Sequence, residues 1–237
     1  MTIDFAVPEE IERLIRLIEH EYRHCKGLIL TEADLASLIY AKLKGKYYSR
    51  YSGEHNWHLP TMDPHIFASP VHLEVPWYDS DHKLTIRPDI TILDTSQLSI
   101  LHSCDGGLRL PSKGCEFGGD SIIMELKFIR NMDGITQVDL QKIVRDFNKI
   151  NSKLKTVNMN SDIRGSIYCF FIIFNKTDIR CSEFDQFLSE HSNANWYKYL
   201  YCTGQVSTPS PTPSQTPITR LRIIQPRPHQ SRKGRRG

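Results

Sequence analysis

The sequence predicts an α/β layered domain, in which helices pack against a sheet. Two observations lead to this prediction. Apolar residues recur at helical spacing at the start of the chain and again after residue 134, and short alternating or continuous apolar runs lie between and after these segments. The predicted order is helix, helix, strand, strand, strand, helix, strand, helix. Such elements each have an apolar face to bury, which favours layers around one core.

The first predicted helix runs from Pro8 to about His24. Proline suits the first turn of a helix, and the acids Glu9 and Glu10 are favourable near its N-terminus. One face of this helix is apolar and carries Ile11, Leu14, Ile15 and Ile18.

A second helix is indicated by Thr31 as N-cap, with Asp34 three residues later. Its apolar face is expected to end near Gly45 and consists of Leu35, Leu38, Ile39 and Leu43. Residues 46–70 have no clear period and are interpreted as an irregular connection.

Three strands are predicted next, at residues 71–75, 87–93 and 121–129. The long segment 94–120 between the second and third strands contains two Gly-Gly pairs and is interpreted as a loop. A third helix follows Gly134 and is marked by Val138, Ile143, Val144, Phe147 and Ile150.

Residues 166–174 are almost continuously apolar, which is typical of a central strand covered on both faces. A shorter helix is predicted over residues 182–191, and the domain is expected to comprise residues 1–202. Residues 203–237 form a tail that is rich in Ser, Thr and Pro and then basic, for which disorder is the expectation.

The charge of the chain is distributed unevenly. Residues 220–237 carry seven basic residues and no acid, so the net charge of +3 leaves −4 for the rest of the chain. The tail is a candidate for binding the phosphate groups of a nucleic acid. An extension that only keeps the protein soluble is an equally good interpretation. The candidate residues are Arg232, Lys233, Arg235 and Arg236.

The expected location is intracellular, in the cytoplasm or associated with the nucleoid. No apolar run approaches the roughly 18 residues that a membrane span needs, and the N-terminus has acids where a secretory signal has basic residues. The six cysteines are scattered without a CxxC pair, which favours free thiols.

Two charges interrupt the apolar run SIIMELKFI at residues 121–129. Glu125 and Lys127 are two residues apart on a strand and therefore project from the same face. Buried charges need a partner or a metal ion. If the strands pair, Asp89 at the start of the preceding strand converges with them, and two adjacent carboxylates suit Mg²⁺ or Mn²⁺.

Such a site fits phosphodiester hydrolysis. The metal would neutralise phosphate charge and lower the pKa of a bound water, while Lys127 would orient the water or stabilise developing negative charge. The structural alternatives stay open: Glu125 and Lys127 on an exposed strand face paired with neighbours, and Asp89 in ordinary turn chemistry.

IRPDITIL followed by IIMELK resembles the motif of the PD-(D/E)xK nuclease superfamily, which has the restriction-endonuclease-like fold. The resemblance implies an αβββαβ core with a mixed central sheet flanked by helices, preceded here by an extra helix. It also implies Mg²⁺ (or Mn²⁺) bound by Asp89 and Glu125, with Lys127 as the catalytic lysine. A further metal ligand from the first core helix would be Glu32, with Glu21 as a weaker candidate. A glutamate at Glu32 is also favoured by the helix dipole alone.

Similar proteins have a polar face on the helix after this motif. By that likeness Asp139, Gln141 and Lys142 would line the site or contact nucleic-acid phosphate. The expected function is that of a metal-dependent DNA nuclease, and a homodimer would suit the cutting of both strands. The alternatives are a catalytically inactive nucleic-acid-binding or assembly protein that keeps the fold, and an interaction module whose tail binds an acidic partner.

Overall fold

The structure is a computed structural model that describes residues 8–50, 59–78, 83–100, 109–112, 114–159, 165–191, 193–194 and 196–205. All of these residues belong to the unit Met1–Val206. The basic candidates of the tail, Arg232, Lys233, Arg235 and Arg236, lie outside the described residues.

Two helices open the described part of the chain, and two more lie among the later strands. The α-helices of the described residues are α1 (Pro8–His24), α2 (Glu32–Arg50), α3 (Gln137–Met159) and α4 (Ser182–Glu190). The strands are β1 (Leu59–Pro60), β2 (Phe67–Ala68), β3 (Val71–Leu73), β4 (Trp77–Tyr78), β5 (Leu84–Ile86), β6 (Ile90–Leu93), β7 (Leu98–Ser99), β8 (Arg109–Ser112), β9 (Cys115–Phe117), β10 (Ser121–Ile129), β11 (Ile167–Asn175), β12 (Asn193–Ala194) and β13 (Tyr197–Thr203).

The central sheet is mixed and has the strand order β12-β13-β11-β10-β6-β3. Strands β3, β6 and β10 pair antiparallel, whereas β10, β11 and β13 pair parallel. A smaller sheet has the order β5-β4-β8-β9-β7, and β1 pairs with β2. In the part of the chain that is described, no helix is long and apolar enough to cross a membrane.

Strand β10 separates two apolar clusters, because successive side chains of a strand point to opposite faces of the sheet. Ile122, Met124 and Leu126 are buried on the side that carries the apolar faces of α1 and α2. Ile123 and Ile129 are buried on the other side. The residues that α3 contributes to that second cluster are Leu140, Ile143, Phe147, Ile150 and Leu154.

The predicted positions of the longer elements are confirmed. Helix α1 has its predicted bounds, and α2 begins with the predicted capping pair: the amide of Asp34 donates to Thr31 Oγ1 (3.1 Å), and the amide of Thr31 donates to Asp34 Oδ2 (2.9 Å). The predicted end of α2 near Gly45 is wrong, because the helix continues to Arg50. A glycine inside a helix costs only about 1 kcal/mol relative to alanine, so it does not by itself end one.

Several short strands were not predicted. Strands β7, β8 and β9 lie in the segment 94–120 that was interpreted as a loop, and β1 and β2 lie in the predicted irregular connection. Strand β13 was also missed, because its sequence YKYLYCT mixes tyrosine and lysine without a clear apolar alternation.

A glycine fixes the chain just before α3. Gly134 has a φ of +71°, a backbone conformation that residues with a side chain rarely adopt. A Cβ at this position would lie 1.9 Å from the carbonyl oxygen of Ile179. The amide of Ile135 donates to the same carbonyl at 3.0 Å. This close approach ties the start of α3 to the segment that follows β11, and so sets where α3 crosses the sheet.

Candidate active site

The predicted pairing of the two motif strands is present. Ile90 and Met124 form the last pair of the antiparallel ladder of β6 and β10, so Asp89 and Glu125 are the next residues beyond the end of this ladder. Lys127 follows two residues later on the same face of β10, which is the face covered by α3. The structure therefore places the three motif residues at one end of this strand pair.

Asp89 is held by the backbone of its neighbours. Its Oδ2 accepts a hydrogen bond from the amide of Leu126 at 2.7 Å, and its carbonyl oxygen accepts one from the amide of Glu74 at 3.0 Å. Burial raises the pKa of Asp89, and the charges of Glu32 and Glu74 raise it further, against the bond from Leu126 and the charge of Lys127. This carboxyl therefore binds protons more readily than an ordinary aspartate.

The ammonium group of Lys127 is surrounded by three carboxylates. Its Nζ lies 3.1 Å from Glu125 Oε1, 3.3 Å from Asp146 Oδ2 and 3.9 Å from Glu32 Oε1. Burial alone would lower the pKa of Lys127, but these carboxylates, Glu125 first, outweigh it and raise the pKa. Lys127 is therefore a protonated, positively charged group at neutral pH.

Glu125 is the most perturbed carboxyl of this group. Its side chain is 14% exposed, and burial raises its pKa from 4.5 to about 7. The charges of Asp89 and Asp146 act in the same direction, whereas Lys127 opposes them through its charge and its hydrogen bond. Lys127 alone is thus insufficient to keep this glutamate fully ionised at neutral pH.

Glu32 contributes from the first turn of α2. Its Oε2 accepts a hydrogen bond from the amide of Phe128 at 3.1 Å, which joins α2 to β10 beside Lys127. The weaker candidate Glu21 instead forms an ion pair with Lys42 (2.8 Å) between α1 and α2. Of the two glutamates, Glu32 is the one located at the site.

Asp146 is a site residue that the sequence reasoning missed. It belongs to α3 and forms two ion pairs, one with Lys127 and one, at 3.5 Å, with the neighbouring Arg145. The helical period could have shown that Asp146 lies near the inward face of α3, because its neighbours Ile143, Phe147 and Ile150 are all buried. A carboxylate on the inward side of an amphipathic helix needs a cation, and β10 supplies one.

The polar residues predicted on α3 lie near the N-terminal part of the helix, apart from the contacts that Lys127 makes. Asp139 forms a capping pair with Thr136 at the start of α3: its amide donates to Thr136 Oγ1 at 3.3 Å, and the Thr136 hydroxyl donates to Asp139 Oδ2 at 2.8 Å. Gln141 and Lys142 are exposed on the same helix. They make no side-chain contact with Glu125 or Lys127 among the described residues, and Asp146 is the α3 residue that does.

The donor chemistry of the site fits a hard divalent cation with few protein ligands. Asp89 and Glu125 each use one carboxylate oxygen in the contacts above, and each keeps a second oxygen. Mg²⁺ commonly binds through one or two carboxylates and retains several waters. Within the described ranges, however, no group of three or more His, Cys, Asp or Glu residues is arranged to hold a metal ion.

Comparisons with known proteins add no family: the chain matches no family model, no curated protein and no solved structure.

Proposed function

We propose that this protein is a metal-dependent nuclease that hydrolyses phosphodiester bonds in DNA. One observation carries the proposal: the partly buried end of a strand pair gathers Asp89, Glu125 and Lys127, and the carboxylates outnumber the single ammonium. An excess of buried negative charge favours the binding of a cation, and carboxylates beside a lysine are suited to phosphate chemistry.

The topology supports the same class. If the strands outside the central sheet are left aside, the elements from α2 to β11 are α2, β3, β6, β10, α3 and β11, which is the order αβββαβ that the PD-(D/E)xK resemblance implies. The first three strands are antiparallel neighbours, and β11 is parallel to β10. We therefore propose a restriction-endonuclease-like core, with α1 as the additional N-terminal helix.

The residues have distinct roles in this proposal. Asp89 and Glu125 would hold the ion, with Glu32 as a further candidate at the edge of the site. When bound, Mg²⁺ or Mn²⁺ supplies charge neutralisation on the phosphate and a more acidic water. Lys127 is protonated, so its part is to donate a hydrogen bond to the attacking water and to stabilise negative charge that develops on the phosphate.

Cleavage of DNA by the purified protein and its Lys127→Ala variant tests the proposal. Supercoiled plasmid and labelled single strands are incubated with Mg²⁺, with Mn²⁺ and with chelator. We expect cutting that needs the metal and falls at least about 100-fold in the variant, because a preorganised charge at the phosphate is lost.

Lys42→Ala is the matched control, since it removes a lysine that pairs with Glu21 away from the site. This variant should cut at the wild-type rate. Cutting that persists in chelator, or that Lys127→Ala leaves unchanged, would reject the proposal.

A nuclease-like protein that binds nucleic acid without cutting it is the rival. The contacts of Lys127 favour this alternative, because its ammonium pairs with carboxylates of β10, α2 and α3. Such a network of ion pairs can also serve the fold alone. Under this alternative the wild type retains DNA in a gel and leaves it intact with either metal.

A further inference from the structure

A pocket beside the site combines charges of both signs. Arg87 and Lys149 line it together with Glu125 and Asp146. Arg87 immediately precedes the motif Pro-Asp, and Lys149 lies on α3 one turn after Asp146. The pocket therefore connects the carboxylates of the proposed metal site with two cations from different elements.

Arg87 and Lys149 have no partner within the part of the chain that the structure describes. In the described residues neither side chain makes an ion pair or a hydrogen bond, and both residues are exposed. By contrast, Lys127 and Arg145 both pair with Asp146. Arg87 and Lys149 thus keep their donors available for an anion from outside, and a guanidinium and an ammonium both suit phosphate oxygens.

The positive charge continues along α3. Lys142, Lys149 and Lys153 are exposed and follow one another at spacings of seven and four residues, which places them on one side of the helix. From Lys142 to Lys153 the helix rises by about 16 Å, at 1.5 Å per residue, which is roughly the axial rise of five nucleotides. A backbone that enters at Arg87 would meet several cations along this stripe.

We propose that Arg87 and Lys149 bind the phosphate backbone of the DNA substrate next to the hydrolysed bond, and that Lys142 and Lys153 extend this contact along α3. The inference rests on the proposed nuclease function and assigns its substrate contacts to one face of the molecule. An isolated row of lysines is usually a solvated face, but here two unpaired cations line the same pocket as the site carboxylates.

Binding is measured by fluorescence anisotropy of a labelled DNA duplex over a series of salt concentrations, with Ca²⁺ replacing Mg²⁺ and the probe checked for integrity. Arg87→Ala and Lys149→Ala are compared with wild type, alone and together. Each single variant should bind about five- to tenfold more weakly, and each lost contact should reduce the slope of log K against log salt by about 0.9.

Two further variants separate a phosphate contact from a general change in charge. Arg13→Ala removes an exposed arginine from α1, on the opposite side of the sheet, and should leave the affinity and the slope unchanged. Lys149→Arg keeps the positive charge, so this variant should bind DNA as tightly as the wild type does.

The outcomes distinguish this inference from the proposed function. If the wild type cuts plasmid while the double variant binds and cuts like Arg13→Ala, the phosphate assignment is wrong and the nuclease stands. If the double variant loses binding while the wild type leaves plasmid intact with Mg²⁺ and with Mn²⁺, the phosphate assignment stands and the nuclease proposal fails. An absence of salt-sensitive DNA binding by the wild type would overturn both.

Discussion

Glu19 and Glu125 are both shielded carboxylates, with side chains 7% and 14% exposed, but their surroundings differ in charge. Glu19 on α1 accepts from Arg16 Nη1 (2.9 Å), from Arg23 Nη2 (2.6 Å) and from the amide of Thr203 (2.9 Å). Two cations and a backbone donor thus serve one carboxylate, and they join α1 to β13.

At Glu125 the ratio is reversed, because three carboxylates share the ammonium of Lys127. A fourth carboxylate, Asp89, lies beside them and contributes to the raised pKa of Glu125. Buried ions are normally compensated within the protein. Glu19 is thus balanced by cations of its own helix and links α1 to β13, whereas the cluster at Glu125 has more carboxylates than cations.

The largest expected effect is on catalysis. Glu125→Gln keeps the shape of the side chain and removes its charge, so plasmid cutting with Mg²⁺ should fall at least about 100-fold. Glu19→Gln, measured at a temperature where it is folded, should cut within about twofold of wild type. Equal loss of activity in both variants would show that the two carboxylates do not differ in function.

The next effect concerns pH and stability without metal. The pKa of Glu125 is raised to about 7 in the folded protein, so between pH 4.5 and 7 the unfolded chain releases this proton first. The wild type should therefore lose about 3 kcal/mol of unfolding free energy over this window, and the loss is complete above pH 7.

Urea unfolding in chelator across this pH range measures the effect. Glu125→Gln lacks the titrating group, and its stability relative to wild type should rise with pH. Parallel profiles of the two proteins would contradict the raised pKa.

Removing the charge of Glu19 should have a somewhat smaller effect on the free energy of unfolding. Glu19→Gln leaves Arg16 and Arg23 without their shared anion, and both arginines are partly exposed, so the cost is about 2 kcal/mol. Chemical denaturation measures this loss, which should change little with Mg²⁺. A variant as stable as wild type would mean that the ion pairs of Glu19 contribute little to the free energy of unfolding.

The smallest effect is expected at the surface pair of Glu21 and Lys42, whose side chains are 44% and 33% exposed. Glu21→Gln should change the free energy of unfolding by less than about 1 kcal/mol and leave DNA cutting unchanged. The corresponding Glu32→Gln change is expected to reduce cutting. A reversed pattern would assign the helix carboxylate to Glu21.

The fold was predictable where burial imposes a simple period. Helices α1 and α3 and strands β10 and β11 have apolar patterns that depend only on which face meets the core. Strand β13 has no such pattern, since Tyr199 and Tyr201 are half-buried and a lysine lies between its buried positions. The short strands β7, β8 and β9 are defined by pairing with each other rather than by their own composition.

The candidate site was predictable where it lies on two adjacent strands. Asp89, Glu125 and Lys127 belong to one motif and follow directly after the last pair of the β6–β10 ladder, so their proximity is expected from the pairing of these two strands. Asp146 is brought in by the crossing of α3 over the sheet, which a local pattern does not specify. The contact of Glu32 with the amide of Phe128 likewise joins residues 96 positions apart.

Calorimetric titration of the protein with Mn²⁺ at pH 8 tests the central claim most directly, because it asks whether the acid-rich cluster takes up a cation. We expect saturable binding by the wild type and by Glu19→Gln, and loss of that binding in Glu125→Gln. Equal binding by all three proteins, or none by the wild type, would contradict it.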